Sequence, residues 1–236
     1  MNEFKILFGL KETEIKKTCI LMPILSKNVL KYFGINSLAK GALYPSQSTR
    51  NLTLIRVGIG PAFTGDAALY LKNTACQNII LLGSCALIKE EGSLKTGSLL
   101  LADKAYNMES FSRMLSCKNL ESPLFNADKK LIENLFLAGT PHIIKRVTCV
   151  TTGSLKLETE FRDLFLHNNI EAVDMECSAL FSAATAIKRK SAALFYATDV
   201  IGEKSFYTPF GDHEKTAVAD SIRKAAGILS EFAEQT

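Results

Sequence analysis

The stretch over residues 172–184 constrains the fold most strongly, because it passes directly from a strand pattern to a helix pattern. Its first residues alternate like the end of a strand, and from Glu176 onward the apolar residues recur at the spacing of one buried helical face. Asp174 and Glu176 stand at this junction. The positive end of the helix dipole would keep Glu176 ionised near free backbone amides. The junction is a place to hold a polar ligand, although acidic residues also cap helix starts for structural reasons alone.

Strand patterns alternate with helix patterns along the chain, without a Pro-rich or Gly-rich linker, which predicts a single α/β domain over residues 1–236 with a largely parallel sheet. The expected strands are the apolar runs 4–10, 52–57, 78–82, 99–102, 143–150 and 191–198. Helices are expected from Pro61 onward and over residues 128–137, 158–168 and 214–232. Residues 103–126 are expected to form a loop.

The composition excludes several classes of function. A net charge of +4 over 236 residues, with scattered Lys and Arg, does not favour binding to nucleic acid or to a membrane surface. The N-terminus lacks a basic flank followed by a long apolar run, so we expect a cytoplasmic protein without a membrane segment. Neither the three histidines nor the six cysteines follow a metal-ligand spacing, so no metal or cofactor is predicted, and the thiols are expected to be reduced and packed.

Two glycine motifs follow predicted strands. Gly58 and Gly60 come after the strand 52–57, and Pro61 then suits the first turn of a helix. Glycines at such a position let a ligand approach the backbone closely, although Gly-x-Gly turns also occur for steric reasons. Gly83 ends the strand 78–82, with Ser84 beside it. The dinucleotide fingerprint is absent, because the third glycine and the later acidic residue are missing.

Acidic residues are expected at the ends of two further strands. Glu14 lies just beyond the run 4–10, and Asp199 ends the run 191–198. Since ligands gather beyond the carboxyl ends of strands in open α/β sheets, both positions are candidates for a site. For Glu14, a solvated position at a charged helix start is the structural alternative.

Three motifs occur in a particular order: Val57-Gly58-Ile59-Gly60, then Gly83-Ser84, then Val173-Asp174-Met175-Glu176 followed by Thr198-Asp199. In this combination, nearly the whole chain resembles the nucleoside phosphorylase and methylthioadenosine nucleosidase superfamily. The resemblance implies a three-layer α/β/α fold with a mixed central sheet. It also implies an enzyme that cleaves the bond between a base and a ribose.

The resemblance also implies roles for individual residues. Glu176 would hold the ribose 2′ and 3′ hydroxyls, with Met175 against the sugar, and Asp199 would deliver a proton to a purine nitrogen as the base departs. Gly60 and Ser84 would lie beside the ribose and the attacking nucleophile. A fixed carboxylate near the sugar and a proton donor at the base both act mainly on the transition state. Asp199 must then be protonated, and we hypothesise that the end of a buried strand raises its pKa.

Water and phosphate are the two candidate nucleophiles. The alignment with the nucleosidases places Glu14 where those enzymes keep a glutamate that activates water. Bacterial-type phosphorylases instead carry arginines at positions that correspond here to Thr13 and Leu81, and neither residue supplies the positive charge that a phosphate dianion needs. Hydrolysis is therefore the prediction. Phosphorolysis stays open as the alternative, because Arg50 and Arg56 could reach an anion.

The substrate predicted from the resemblance is a purine nucleoside, of a 5′-modified adenosine type. Leu155 stands where the nucleosidases place a phenylalanine that stacks on adenine, so the base pocket is altered, with Phe63 or Phe206 as substitutes. Thio-adenosines, a deoxyfutalosine-like nucleoside and other 5′-modified purine nucleosides all remain open.

Two readings from other classes compete with the enzyme: a nucleoside-binding sensor without catalysis, and a nucleotide-binding α/β module. The joint presence of Glu14, Glu176 and Asp199 favours an enzyme over a sensor, since binding alone requires neither a base nor an acid. The missing dinucleotide and P-loop motifs argue against the module. Family members are usually homo-oligomers, so a dimer or hexamer is expected, in which residues 106–111 close the site of a neighbouring subunit.

Overall fold

The computed structural model describes residues 2–110, 124–140, 142–205 and 207–236. In this part of the chain a nine-stranded sheet contains β1 (Thr18–Met22), β2 (Ser46–Ser48), β3 (Leu52–Arg56), β4 (Asn78–Leu87), β5 (Leu99–Met108), β6 (Leu124–Asn126), β7 (Ile144–Thr152), β8 (Ala172–Asp174) and β9 (Lys190–Val200). The α-helices described are α1 (Glu3–Phe8), α2 (Lys27–Tyr32), α3 (Pro61–Tyr70), α4 (Lys129–Ala138), α5 (Arg162–His167), α6 (Cys177–Ala186) and α7 (Asp212–Glu234). Single turns of 3-10 helix cover Glu12–Glu14, Leu71–Asn73 and Glu158–Phe161.

The sheet is mixed, and part of it closes into a ring. β1 pairs in parallel with β3 and β4, and β4 pairs in parallel with β9. β9 is antiparallel to β5, β5 and β8 are both parallel to β7, and β8 returns antiparallel to β4. Helices α3 and α6 pack together on the sheet, while α7 packs on α2, α4 and β9. This arrangement confirms the expected α/β/α fold with a mixed central sheet.

A β-bulge interrupts the long pairing of β4 with β9. Cys85 lies opposite Ala197, but Ala86 lies opposite Asp199, so Thr198 is the extra residue. Ser84 therefore lies within β4, which continues to Leu87, and the expectation that the strand ends at a Gly83-Ser84 turn is wrong. Pairing with β9 and β8 holds these residues in the strand. The bulge changes the direction in which neighbouring side chains point.

The first apolar run forms helix α1 and not a strand, so that prediction is wrong. Phe4 and Phe8, one helical turn apart, are buried and stack with ring centroids 4.2 Å apart. The Asn2 side chain accepts a hydrogen bond from the Lys5 backbone, and Gly9, with φ of +79°, ends the helix. The first strand is β1, which is buried along its whole length.

The other predicted elements differ mainly at their ends. The strands at 52–57, 143–150 and 191–198 and the helices at Pro61, 128–137 and 214–232 are all present. The loop expected over residues 103–126 is wrong at both ends, because β5 extends to Met108 and β6 pairs with it. The helix expected at 158–168 is divided into a 3-10 turn and α5. Tyr106 lies on β5, whereas Phe111 lies outside the described residues.

The buried core contains five of the cysteines, and none of them forms a disulfide within the described chain. These are Cys19, Cys76, Cys85, Cys149 and Cys177, whereas Cys117 lies outside the described residues. None of the described helices is both long enough and apolar enough to span a bilayer.

Candidate active site

A cavity opens where β4, β9 and the β8–α6 junction meet. This central cavity is lined by Ile59, Ser84, Leu155, Met175, Glu176 and Asp199, among others. The space between its lining residues that holds no protein atoms is about 590 Å³, and this includes open solvent. Polar groups from separate elements thus face a single space.

Glu176 is held at the meeting point of two helix starts. It is the residue before α6, and its side chain is buried. The Gly60 N–H, at the start of α3, donates to Glu176 Oε1 at 2.7 Å. Gly60 has a φ of +115°, a conformation that glycine adopts readily and that directs this N–H to the carboxylate. One oxygen of Glu176 is therefore fixed by the protein, which orients the carboxyl group in the cavity.

Asp174 is a structural residue that caps α6. Its Oδ2 accepts from the N–H groups of Glu176 at 2.8 Å and Cys177 at 2.6 Å. Its Oδ1 accepts from Thr151 Oγ1 at 2.7 Å, and Thr151 Oγ1 in turn accepts from the Ser178 N–H at 2.8 Å. The capping alternative therefore applies to Asp174, which leaves Glu176 free of that task.

The electrostatic environment of Glu176 differs from the expectation. Burial and the charge of Asp174 raise the pKa of Glu176, and the N–H groups of Gly60 and Met175 offset only part of this increase. The expectation that the start of the helix keeps Glu176 ionised is thus wrong, because removal from water outweighs the local dipoles. A ligand with hydroxyl groups would supply hydrogen bonds that favour the carboxylate.

Asp199 reaches the cavity because of the β-bulge. Its side chain is buried, and Thr198 Oγ1 donates to Asp199 Oδ1 at 2.7 Å. Burial raises the pKa of Asp199, while the Thr198 hydroxyl and the charge of Lys204 act in the opposite direction. The raised pKa confirms the hypothesis drawn from its place near the end of an apolar strand. Asp199 is suited to hold a proton and to donate it.

The remaining predicted ligand-binding residues divide into two groups. Ser84, Met175 and Leu155 line the central cavity. Phe63 is 45% exposed and lines a separate outer cavity formed with Ile24, Arg56, Gly58 and Ile59. The structure therefore does not bring Phe63 to the carboxyl groups. Phe206 lies outside the described residues.

Glu14 is not at the cavity, which corrects its predicted position. It lies in a 3-10 turn before β1, is exposed, and accepts a hydrogen bond from the Lys11 N–H at 2.6 Å. The central cavity is lined by Pro23 and Ile24, which follow the carboxyl end of β1. Because Glu14 precedes this strand, it lies at the opposite edge of the sheet. The wrong strand assignment for residues 4–10 caused the error.

Glu158 lines the cavity but was not predicted. It is only 8% exposed, and it also lines a side cavity formed with Leu155, Asp199, Lys204 and Tyr207. Burial and the charge of Asp199 raise its pKa to about 8. The sequence shows an acidic residue in a charged segment, a pattern typical of a solvated helix start, so no local signal identifies it.

The central cavity is acidic. Four of its lining residues carry carboxyl groups, namely Glu158, Asp174, Glu176 and Asp199. Its described lining includes neither Lys nor Arg. The described residues contain no group of three or more His, Cys, Asp or Glu arranged to hold a metal ion. The arrangement can bind hydroxyl groups, donate protons and receive a ligand that is neutral or positively charged.

Comparisons with known proteins place these features in a wider group. The model of the phosphorylase superfamily matches residues 29–234. A purine nucleoside phosphorylase from Toxoplasma gondii, solved in complex with immucillin-H, is 18% identical, with a TM-score of 0.77 and coverage of 100% of this chain and 99% of that chain. The Campylobacter jejuni 5′-methylthioadenosine/S-adenosyl homocysteine nucleosidase is 16% identical, with a TM-score of 0.75 and coverage of 94% and 100%.

An AMP nucleosidase from Bacteroides thetaiotaomicron is 18% identical, with a TM-score of 0.74 and coverage of 98% of this chain and 95% of that chain. A search of curated protein sequences finds no significant match. At these identities the similarity shows the fold, and both nucleosidases and phosphorylases share it.

Proposed function

The chain belongs to the phosphorylase superfamily, and from this premise we propose that it hydrolyses the N-glycosidic bond of a purine nucleoside, of a 5′-modified adenosine type. The observation that carries the proposal is that two buried carboxyl groups, Glu176 and Asp199, line one cavity whose described lining includes neither Lys nor Arg. The products are the free base and the sugar.

Glu176 is proposed to bind the ribose. Two adjacent hydroxyl groups can donate to the oxygen that Gly60 leaves open, and these bonds favour the ionised carboxyl group. When the bond from C1′ to the base nitrogen breaks, positive charge develops on the sugar. A carboxylate fixed by a backbone N–H stabilises this charge without having to reorganise. Met175 lies beside Glu176 in the lining and would contact the sugar.

Asp199 is proposed as the general acid. The electrons of the broken bond move to the base, and Asp199 transfers its proton to a ring nitrogen, so the base leaves as a neutral molecule. Burial raises the pKa of Asp199, which increases the fraction that holds this proton. General acid catalysis typically contributes about 10²- to 10⁴-fold in rate. Water then adds to C1′ and releases a proton to solvent.

Water is favoured over phosphate on electrostatic grounds. A phosphate dianion beside four carboxyl groups would require strong positive charge, and the described residues lining the central cavity include neither Lys nor Arg. Glu14 has no part in this proposal, because it lies at the other edge of the sheet.

Phosphorolysis is the second candidate, and Arg56 is the observation that favours it. Arg56 lines the outer cavity, which shares Ile24 and Ile59 with the central cavity. A phosphate ion at the boundary between the two cavities would have a cation on one side. In this case phosphate, and not water, would attack C1′.

Release of free base from a panel of purine nucleosides, measured by chromatography with and without phosphate, tests the proposal. We expect phosphate-independent release that falls about 10²- to 10⁴-fold in Asp199→Asn. Asp103→Asn is the matched control, since Asp103 pairs with Arg146 on partly exposed surface, and it is expected to retain the wild-type rate. Glu14→Gln is also expected to retain it.

Each other outcome has a defined meaning. Release that requires phosphate and is lost in Arg56→Ala would replace hydrolysis by phosphorolysis. Nucleoside binding without release of base from any substrate would replace the enzyme by a nucleoside sensor. A wild-type rate in Asp199→Asn would remove Asp199 from the mechanism.

A further inference from the structure

Basic residues from three separate parts of the chain meet at the edge of the sheet opposite the central cavity. β4 has β1 and β9 as parallel neighbours, so the starts of these three strands lie side by side. We call the group of basic residues at these strand starts the basic edge. It consists of Lys16 and Lys17 before β1, Lys72 in the turn before β4, and Lys188, Arg189 and Lys190 at the start of β9.

Hydrogen bonds hold the three segments of the basic edge together. The Lys17 carbonyl accepts from the Gln77 N–H at 2.8 Å, and the Gln77 carbonyl accepts from the Lys190 N–H at 3.1 Å. The Arg189 guanidinium donates to the Lys72 carbonyl at 2.9 Å. Because Gln77 lies between them, Lys17 and Lys190 are two strand spacings apart, roughly 10 Å.

The positive charge of the basic edge is not neutralised by ion pairs. Its lysines before β4 and around β9 are exposed, as is Lys17, whose Nζ donates to the Thr236 main-chain oxygen at 3.1 Å. The ion pairs found between described residues include none of the six basic side chains. The acidic residues of the adjoining segments number half as many, namely Glu12, Glu14 and Glu234.

Lys188 occupies a position at which a helix end favours glycine. The Arg189 N–H donates to the Ala184 carbonyl at 2.8 Å, and the Lys188 N–H donates to the Thr185 carbonyl at 3.1 Å, so the backbone itself caps the end of α6. Lys188 has a φ of +57°, which glycine adopts without the cost that a side chain brings. A cation is thus present where the fold alone would favour glycine.

We infer that the basic edge binds the phosphate backbone of nucleic acid without reading its sequence. A row of cations across three adjacent strand starts fits a linear chain of phosphates, and each neutralised phosphate releases counterions. The segments 16–18, 72–77 and 185–190 expose no large apolar or aromatic side chain. They therefore offer no platform for stacking bases and no apolar anchor for a membrane. The composition argument against nucleic acid relied on scattered Lys and Arg, and strand pairing gathers six of them.

Fluorescence anisotropy with a labelled oligothymidylate of about 20 nucleotides, titrated at salt concentrations from about 50 to 200 mM, tests this inference. We expect the logarithm of the association constant to fall with the logarithm of the salt concentration, with a slope of about −3 to −4. Lys188→Gln/Lys190→Gln should make this slope shallower by about 1 to 2. Lys27→Gln/Lys31→Gln is the matched control, because it changes the net charge equally on the exposed face of α2, after the carboxyl end of β1. It should keep the wild-type slope.

Lys188→Gly separates binding from a structural role of the lysine. Glycine suits the positive φ, so this variant should unfold at a higher urea concentration than wild type. Its salt slope should nevertheless become shallower by about 1. A variant that is less stable and keeps the wild-type slope would show that Lys188 serves the fold, and would overturn the inference for this residue.

The remaining outcomes also decide between partners. Equal slopes in Lys188→Gln/Lys190→Gln and in the α2 control would overturn the inference, and so would tighter binding of wild type to vesicles of anionic phospholipid than to the oligonucleotide. The basic edge lies across the sheet from the central cavity, so its lysine variants should retain the wild-type rate of nucleoside cleavage. Oligonucleotide binding by a wild type that cleaves no nucleoside would support the basic edge and reject the hydrolase.

Discussion

Replacing Asp174 by alanine is expected to destabilise the fold more than any other single carboxyl substitution at the site. The side chain accepts from the N–H groups of Glu176 and Cys177 and from the Thr151 hydroxyl, at distances of 2.6 to 2.8 Å. All of these groups are buried. Alanine leaves these three donors without their acceptor, and each costs about 1–3 kcal/mol. The Cys149 thiol, which also donates to Oδ1, at 3.5 Å, loses a weaker bond. We expect a loss of at least about 3 kcal/mol, a large share of a typical stability.

Asp174→Asn should lower the free energy of unfolding much less than Asp174→Ala, for a geometric reason. Its amide oxygen can replace Oδ2, which accepts from both backbone N–H groups. Its NH₂ group would then replace Oδ1, so the Thr151 hydroxyl loses its acceptor, although the Thr151 oxygen, which already accepts from the Ser178 N–H, can accept from the NH₂ group as well. One unsatisfied donor predicts a loss of about 1–2 kcal/mol.

Urea unfolding followed by far-ultraviolet circular dichroism measures both variants, since the chain has no Trp. Asp103→Ala is the control, because it removes a partly exposed ion pair with Arg146 and should cost about 1 kcal/mol or less. If Asp174→Ala were no less stable than this control, Asp174 could not be the acceptor that organises the start of α6. If Glu176 kept its hydrogen bond with Gly60 in Asp174→Ala, this would also contradict the role of Asp174 in organising the start of α6.

Two further substitutions test the local backbone and the N-terminus. Gly60→Ala should lower the free energy of unfolding by about 1–3 kcal/mol, because φ of +115° strains any residue with a side chain. Gly227→Ala, on the exposed face of α7, is the control and should raise it by up to about 1 kcal/mol. Equal effects in urea unfolding would contradict the Gly60 geometry. Phe8→Ala should lower the free energy of unfolding by about 3–5 kcal/mol, because Phe8 is fully buried. Ile6 is 46% exposed on the same helix, so Ile6→Ala should lower it by less than about 1 kcal/mol. Similar losses in the two variants would contradict helix α1.

Local signals were sufficient for the β8–α6 junction and for the start of α3. At residues 172–184 the change of hydrophobic period marks the boundary, and at Pro61 the missing N–H suits the first helical turn. Both features depend only on residues close in sequence. The orientation of Glu176 depends also on Gly60, which the family resemblance named but which no local pattern connects to it.

Pairing between strands that are distant in sequence determines features of β4 and β9 that local sequence patterns do not show. Gly83 and Ser84 have the composition of a turn, yet β9 on one side and β8 further along keep β4 extended to Leu87. The bulge at Thr198 arises from this pairing, and it directs Asp199 into the cavity. A strand end and a β-bulge have similar local sequences. Only the bulge shifts the alternation of side chains, here at Thr198 and Asp199.

The error at Glu14 shows how one misassigned element moves a functional residue across the sheet. The run 4–10 is too short for its period to separate a strand from a helix, and the caps at Asn2 and Gly9 were the signals that favoured a helix. With β1 at Thr18–Met22, Glu14 comes before the strand and not after it. Five residues of strand separate the two edges by about 13 Å.

The corrected position of Glu14 also changes what the site requires of its nucleophile. Without a glutamate after β1, the described lining contains no carboxyl group assigned to activate water, so bond cleavage must depend mainly on stabilising the departing base and the sugar cation. In the proposed reaction, Asp199 and Glu176 supply those two effects. Because the proton sits on Asp199 only below its raised pKa, the rate should decrease as pH rises through that pKa. Glu176 acts as a carboxylate, so the rate should also decrease as pH falls below its raised pKa, and the decrease at high pH is the part of the profile that reports on Asp199.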